Sequence, residues 1–196
     1  YHATMVLDGG AKGVIGPYIE TAEQVRQLAG AVKFKPLKGQ KLSDFLAKKA
    51  HLGAELHDYL KKTNEDNVLI VNIESIPALE QLDEILSVDG LDAVLVGPHD
   101  LTCSLGIPEQ YDHPRFLETI EMIIRKARAK QIGVGIHVWE EVGFDKEIEW
   151  AKMGANLVIH SNDVSIFTHA MKNHLNRFEA AVGTDRQKAR VEGVNI

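Results

Sequence analysis

Short apolar runs alternate with stretches of helical periodicity along most of this chain. Val68 to Ser75 and Ala93 to Asp100 are β-branched runs, and each closes on a carboxylate, Glu74 or Asp100. Runs of that length between turn residues read as strands buried on both faces. Between them, Pro77 to Leu86 has helical spacing, with Leu79, Leu82 and Leu86 on one face. Strand, helix and strand of this size make a βαβ unit with parallel strands. Parallel strands bring Glu74 and Asp100 to one edge of the sheet, where α/β folds build their sites. Two carboxylates converging beside the Gly97-Pro98 turn suit a hard divalent cation.

The same alternation extends in both directions. Tyr1 to Asp8 reads as the end of a helix entered in midstream, and Gly9-Gly10 breaks it. Gly13 to Ile19 reads as a strand ending at Glu20. Thr21 and Gln24 have the spacing of a capping box, opening a helix that carries Val25, Leu28, Ala29 and Val32 inward. Pro36 and Gly39 are expected to end that helix. Residues 36–66 are an irregular insertion with enough leucines for one or two short amphipathic helices. A connection of this length is typically a lid, a binding loop or an oligomer contact. After Asp100 come a tight turn or short helix at 101–106 and a helix capped by Asp112 or His113, with Pro114 in its first turn. Its buried stripe is Phe116, Leu117, Ile120, Ile124 and Ala127. Gly133 to Val138 is the next strand, Glu140 to Met153 the next helix, and Gly154 its stop. Asn156 to Ser161 is the last strand. Asn162 or Asp163 caps a final helix with Ile166, Phe167, Ala170, Met171, Leu175 and Phe178. Residues 182–196 read as a polar tail.

Five strands, each followed by a helix, end in Glu20, Glu74, Asp100, His137 and His160. In a barrel of parallel strands these ends form one polar mouth. A (β/α)8 barrel needs about 250 residues, so this chain is short by roughly three units. From its start in mid-helix, the unrepresented units are expected at the front. The expected organisation is a partial barrel domain over 1–181.

Composition narrows the partners. A formal net charge of −6 argues against nucleic acid or an anionic membrane. The single cysteine, Cys103, cannot form an internal disulfide, which fits a reducing compartment. It reads as a small buried side chain. No apolar run approaches the length of a membrane span. A cytoplasmic protein is expected.

Gly10 to Glu23, Ile73-Glu74-Ser75 and Val88 to Leu101, with its Gly-Pro-x-Asp-Leu motif, resemble the HpcH/HpaI aldolase family, in register from about Asp8 to Phe178. The resemblance implies a TIM (β/α)8-type barrel represented here by strands four to eight. It implies a divalent metal cation held by Glu74 and Asp100: Mg²⁺ or Mn²⁺, with Co²⁺ or Zn²⁺ as alternatives. Asn72 stands where the family has a substrate-touching glutamine. His99 stands at a position whose backbone, with the Asp100 amide, holds the substrate carboxylate. Asp8 matches an aspartate that orients a catalytic histidine, but that histidine and an oxyanion-stabilising arginine belong to strands this chain lacks. The family's Gly-x-Arg-Gly is here Gly39-Gln40-Lys41, which puts a loop contact in question.

The implied activity is that of a class II aldolase, a carbon–carbon lyase. Pyruvate chelated by the cation loses a methyl proton to give a metal-bound enolate, and in reverse a 4-hydroxy-2-oxo acid is cleaved to pyruvate and an aldehyde. The family's habit also implies a homo-oligomer. A Schiff-base aldolase would need a barrel lysine, and none of the five strands carries one. Two other readings stand beside it: a citryl- or malyl-CoA lyase-like enzyme, and a non-catalytic fragment binding metal and oxo acid without its base. The bland reading of Glu74 and Asp100 is a pair of helix caps. For His137 and His160 it is a pocket-lining or hydrogen-bonded imidazole.

Overall fold

The computed structural model describes residues 2–139 and 143–182. The chain divides into two compact units, Tyr1–Ile159 and His160–Ile196. The first opens with α1 (His2–Asp8), β1 (Gly13–Gly16), α2 (Ala22–Lys33), α3 (Gly39–Leu46) and α4 (Ala54–Asn64). It continues through β2 (Val68–Ile73), α5 (Ile76–Glu80), α6 (Leu82–Ile85), β3 (Ala93–Val96) and α7 (Pro98–Ser104). Then follow α8 (Pro114–Ala129), β4 (Gly133–Val138), α9 (Phe144–Met153) and β5 (Leu157–His160), whose last residue opens the second unit. The second unit's helix is α10 (Asp163–Val182).

Local chemistry sets the helix ends. The Thr21 hydroxyl accepts from the Gln24 amide at 3.3 Å, while the Gln24 side chain accepts from the Thr21 amide at 2.9 Å. This is the expected capping box. His113 starts α8, its Nδ1 accepting from the Arg115 amide at 3.1 Å. The buried stripe of α8 contains Ile123 as well as the predicted Phe116, Ile120, Ile124 and Ala127, while Leu117, also expected there, is only half-buried at its edge. Gly154 closes α9 at φ 115°, a left-handed position that suits glycine.

Several elements differ from expectation. The first strand ends at Gly16, because Pro17 brings no amide and Tyr18 turns at φ 56°. Gly39 does not terminate α2, which ends at Lys33; it is the first residue of α3. The helix read over 77–86 is broken at Gln81 into α5 and α6. The insertion at 36–66 holds α3 and α4. The Glu140 start lies outside the described residues, within which the helix begins at Phe144. Cys103 is exposed, not buried: Leu101 and Thr102 take the inward positions of the short helix.

The sheet has the order β1-β2-β3-β4-β5, and β1 through β4 pair in parallel. An α/β chain whose strands pair in sequence order has the topology of part of a TIM-type barrel. One face is buried against the helices, through Leu69, Val71 and Ile73, Val94 and Val96, and Val134, Ile136 and Val138. The other face carries Ile15, Ile70, Ala93 and Gly133 in one row, then Asn72, Leu95 and Gly135 in the next.

Candidate active site

The register pairs Ile73 with Val96 and Val96 with Ile136. One residue further on, Glu74, Gly97 and His137 form the last row on the opposite face, that of Asn72, Leu95 and Gly135, at the C-terminal ends of three adjacent strands. Glu74 is 95% buried, with a residual exposure of 5%. Its Oε1 accepts from the Tyr18 amide at 2.7 Å and its Oε2 from the Asn72 side-chain amide at 3.0 Å. The carboxylate is thus held from β2 itself and from the turn after β1. A buried carboxylate with two donors is fixed in orientation.

Gly97 explains the space next to it. A Cβ built there would lie 2.6 Å from Glu74 Oε2 and 3.7 Å from Asp100 Oδ2. Both carboxylates therefore converge over the glycine Cα, and only glycine leaves that room. Neither carboxylate is a helix cap. Ser75 caps α5, its hydroxyl accepting from the Ala78 amide, and Gly97 is the N-cap residue of α7. Asp100 is exposed in the first turn of α7 rather than at a strand end.

Further links tie the strand-end loops together. The Ser75 hydroxyl donates to Glu20 Oε1 at 3.0 Å, and the Ile76 amide donates to the Ser104 hydroxyl at 2.9 Å. Asn72 Oδ1 is buried with no hydrogen-bond partner. Its Nδ2 must face the Glu74 carboxylate, since the reverse orientation would set oxygen against oxygen. The orphaned oxygen belongs to the side chain that holds Glu74, where a ligand or water would satisfy it. His99 is about half exposed, with Nδ1 3.7 Å from Glu109 Oε1, and its carbonyl accepts from the Thr102 hydroxyl at 2.8 Å.

These features fit a hard divalent cation. The donors are carboxylate oxygens, fixed on one side and open on the other. Among the described residues no group of three or more His, Cys, Asp and Glu is placed to hold a metal. The chain would thus supply two carboxylates and leave positions for substrate and water.

Of the predicted site residues, Glu74, Asp100, Asn72 and His99 come together at this edge. Asp8 does not. It ends α1, ahead of the N-terminal end of β1, in an ion pair with Lys35. Sequence reading missed the Tyr18 amide, because a left-handed turn at a tyrosine leaves no pattern. It also took Gly97 only as a turn, although the Gly-Pro pair was the available signal.

Comparison with known proteins assigns the chain to a family. The sequence profile described as HpcH/HpaI aldolase/citrate lyase matches residues 2–170. The chain belongs to the HpcH/HpaI family. It is 34% identical over 183 residues to a 2-keto-3-deoxy-L-rhamnonate aldolase of Klebsiella pneumoniae subsp. pneumoniae, covering 93% of this chain and 67% of that protein. A protein of the same name from Salmonella paratyphi A is 36% identical over the same span. Among solved structures, the HpcH/HpaI aldolase of Desulfitobacterium hafniense DCB-2 superposes with a TM-score of 0.73 at 26% identity. That match covers 91% of this chain and 68% of the other.

Proposed function

We propose that this chain carries the metal and 2-oxo acid site of a class II aldolase. Its reaction would make or cleave the carbon–carbon bond of a 4-hydroxy-2-oxo acid, with pyruvate as nucleophile in one direction and product in the other. The observation that carries this reading is the convergence of Glu74 and Asp100 over the Cα of Gly97. The aldolase names of the relatives at 34–36% identity favour it over thioester cleavage. In this reading the five strands are the fourth to eighth of a barrel.

Glu74 and Asp100 would hold Mg²⁺ or Mn²⁺. When bound, the cation supplies the Lewis acidity that makes a methyl proton next to a ketone removable. The chain's residues do the rest of the positioning. The Tyr18 amide and the Asn72 side chain lock Glu74, and Asn72 Oδ1 is left to accept from a substrate or water hydroxyl. The first amides of α7, at His99 and Asp100, lack upstream helical carbonyls and are suited to the substrate carboxylate. Asp8 would act only by supporting a histidine that these strands do not provide.

Titration calorimetry with Mn²⁺, with and without oxalate, tests the reading without requiring turnover. Wild-type chain should bind Mn²⁺ more tightly with oxalate. Glu74→Gln keeps an acceptor for the Tyr18 amide and should fold, yet lose at least about tenfold in affinity, since a neutral amide is a poor ligand for a hard cation. A folded wild-type chain that binds no Mn²⁺ would overturn the reading.

A further inference from the structure

We infer that His137 receives the C4 oxygen of the 4-hydroxy-2-oxo acid, and so governs the aldehyde half of the substrate. The inference rests on the aldolase reading above and deepens it. Along β4, Val134, Ile136 and Val138 are buried against the helices, and His137 points to the opposite face, exposed, in the row of Glu74 and Gly97.

The spacing of that row is what matters. Adjacent strands lie about 4.8 Å apart, so Glu74 and His137 flank Gly97 at about 10 Å between backbones. Gly97 has no side chain, and at Gly135, the residue before His137 on this face, the Leu157 main-chain carbonyl fills the place of one. The slot between carboxylate and imidazole is therefore floored by backbone. A 2-oxo acid bound through a cation at Glu74 and Asp100 would extend from its C1 and C2 oxygens along C3 and C4. Its C4 oxygen sits two carbon–carbon bonds past the ketone carbon, away from the carboxylate. His137 is the polar side chain across the slot.

The imidazole is also braced. His137 packs edge-on against Trp139 with centroids 5.5 Å apart, and Trp139 against Tyr111 at 6.0 Å. Tyr111 meets Phe116 at 6.0 Å, and Phe116 meets Trp150 at 6.3 Å. This run of edge contacts connects an exposed imidazole to the core of α8 and α9. A ring so placed can donate to, or accept from, a hydroxyl. It is a specificity-determining residue for the C4 substituent and not a ligand of the cation.

The test is calorimetry on the Mn²⁺-loaded chain with pyruvate, 2-oxopentanoate and 4-methoxy-2-oxopentanoate. The last has a C4 oxygen but no hydroxyl proton to lose, so it cannot be cleaved. Wild type should favour the methoxy acid over 2-oxopentanoate by about 3- to 10-fold, the size of one neutral hydrogen bond. His137→Ala should bring that ratio to about one with Mn²⁺ and pyruvate binding unchanged, and His137→Gln should keep much of it. A preference that survives in His137→Ala, or is absent in wild type, overturns the assignment while the aldolase reading stands. Loss of Mn²⁺ or pyruvate binding in His137→Ala also overturns it, by making His137 part of the metal side. Wild-type failure to bind Mn²⁺ or pyruvate overturns both.

Discussion

At the scale of single residues, the site depends on what is left out as much as on what is present. Gly97→Ala would push a methyl group to 2.6 Å from Glu74 Oε2. The carboxylate must then swing away, at a cost of about 1–3 kcal/mol for the crowding. Mn²⁺ titration of this variant should show a loss comparable to that of Glu74→Gln. Tyr18 is the opposite case. It is 74% exposed and held at φ 56°, so its side chain contributes little packing while its backbone is strained. Tyr18→Gly should raise stability in urea by about 1 kcal/mol, and Tyr18→Ala, which keeps the strain, should not. Both retain the amide that donates to Glu74. Asp8→Asn should leave Mn²⁺ affinity unchanged, since Asp8 pairs with Lys35 and lies away from the carboxylate pair.

At the scale of elements, the caps and cross-helix pairs make separable contributions. Thr21→Ala removes half of the α2 capping box and should cost about 1 kcal/mol by thermal or urea unfolding. The pair between α6 and α8 responds to pH. Its hydrogen bond from Lys126, 2.7 Å from Asp83 Oδ2, holds the Asp83 carboxyl below the usual carboxylate range, with a smaller aid from the charges of Lys126, Lys130 and Arg125. A carboxylate depressed in the folded state stabilises above its unfolded pKa and loses that contribution as pH falls through the folded value. Lys126→Met should move the Asp83 midpoint upward in an NMR titration. The stability difference between the two proteins should fade in acid and in high salt, because the carboxylate is open to solvent.

At the scale of the whole molecule, the sheet has consequences of its own. Among the described residues β1 and β5 each have a strand on one side only. Ile15 and Val158 on these strands are 46% and 60% exposed. Within the second unit, Phe167 and Phe178 of α10 are 67% and 64% exposed, and no residue of that helix is buried. Unpaired strand edges and apolar surface favour association. The chain on its own should therefore sediment as a concentration-dependent assembly. A monomer across the accessible concentration range would contradict this expectation.

Much of this protein follows from local rules. The capping box at Thr21, the proline-headed helix after His113 and the glycine stop at Gly154 are each set by a few neighbouring residues. The apolar runs ending in Glu74 and Asp100 fixed strand type, direction and the shared edge, since parallel strands have no other way to connect through a helix. Local patterning could not set register or turn geometry. The row of Glu74, Gly97 and His137 joins residues far apart in sequence, and a shift of one residue on any strand would turn its side chains to the opposite face. The left-handed turn at Tyr18, which aims an amide at Glu74, depends on the meeting of two strand ends. The sequence by itself determined which residues could form a cation site. Only the tertiary structure decided which would face one another across it, because that depends on non-local hydrogen bonding between strands.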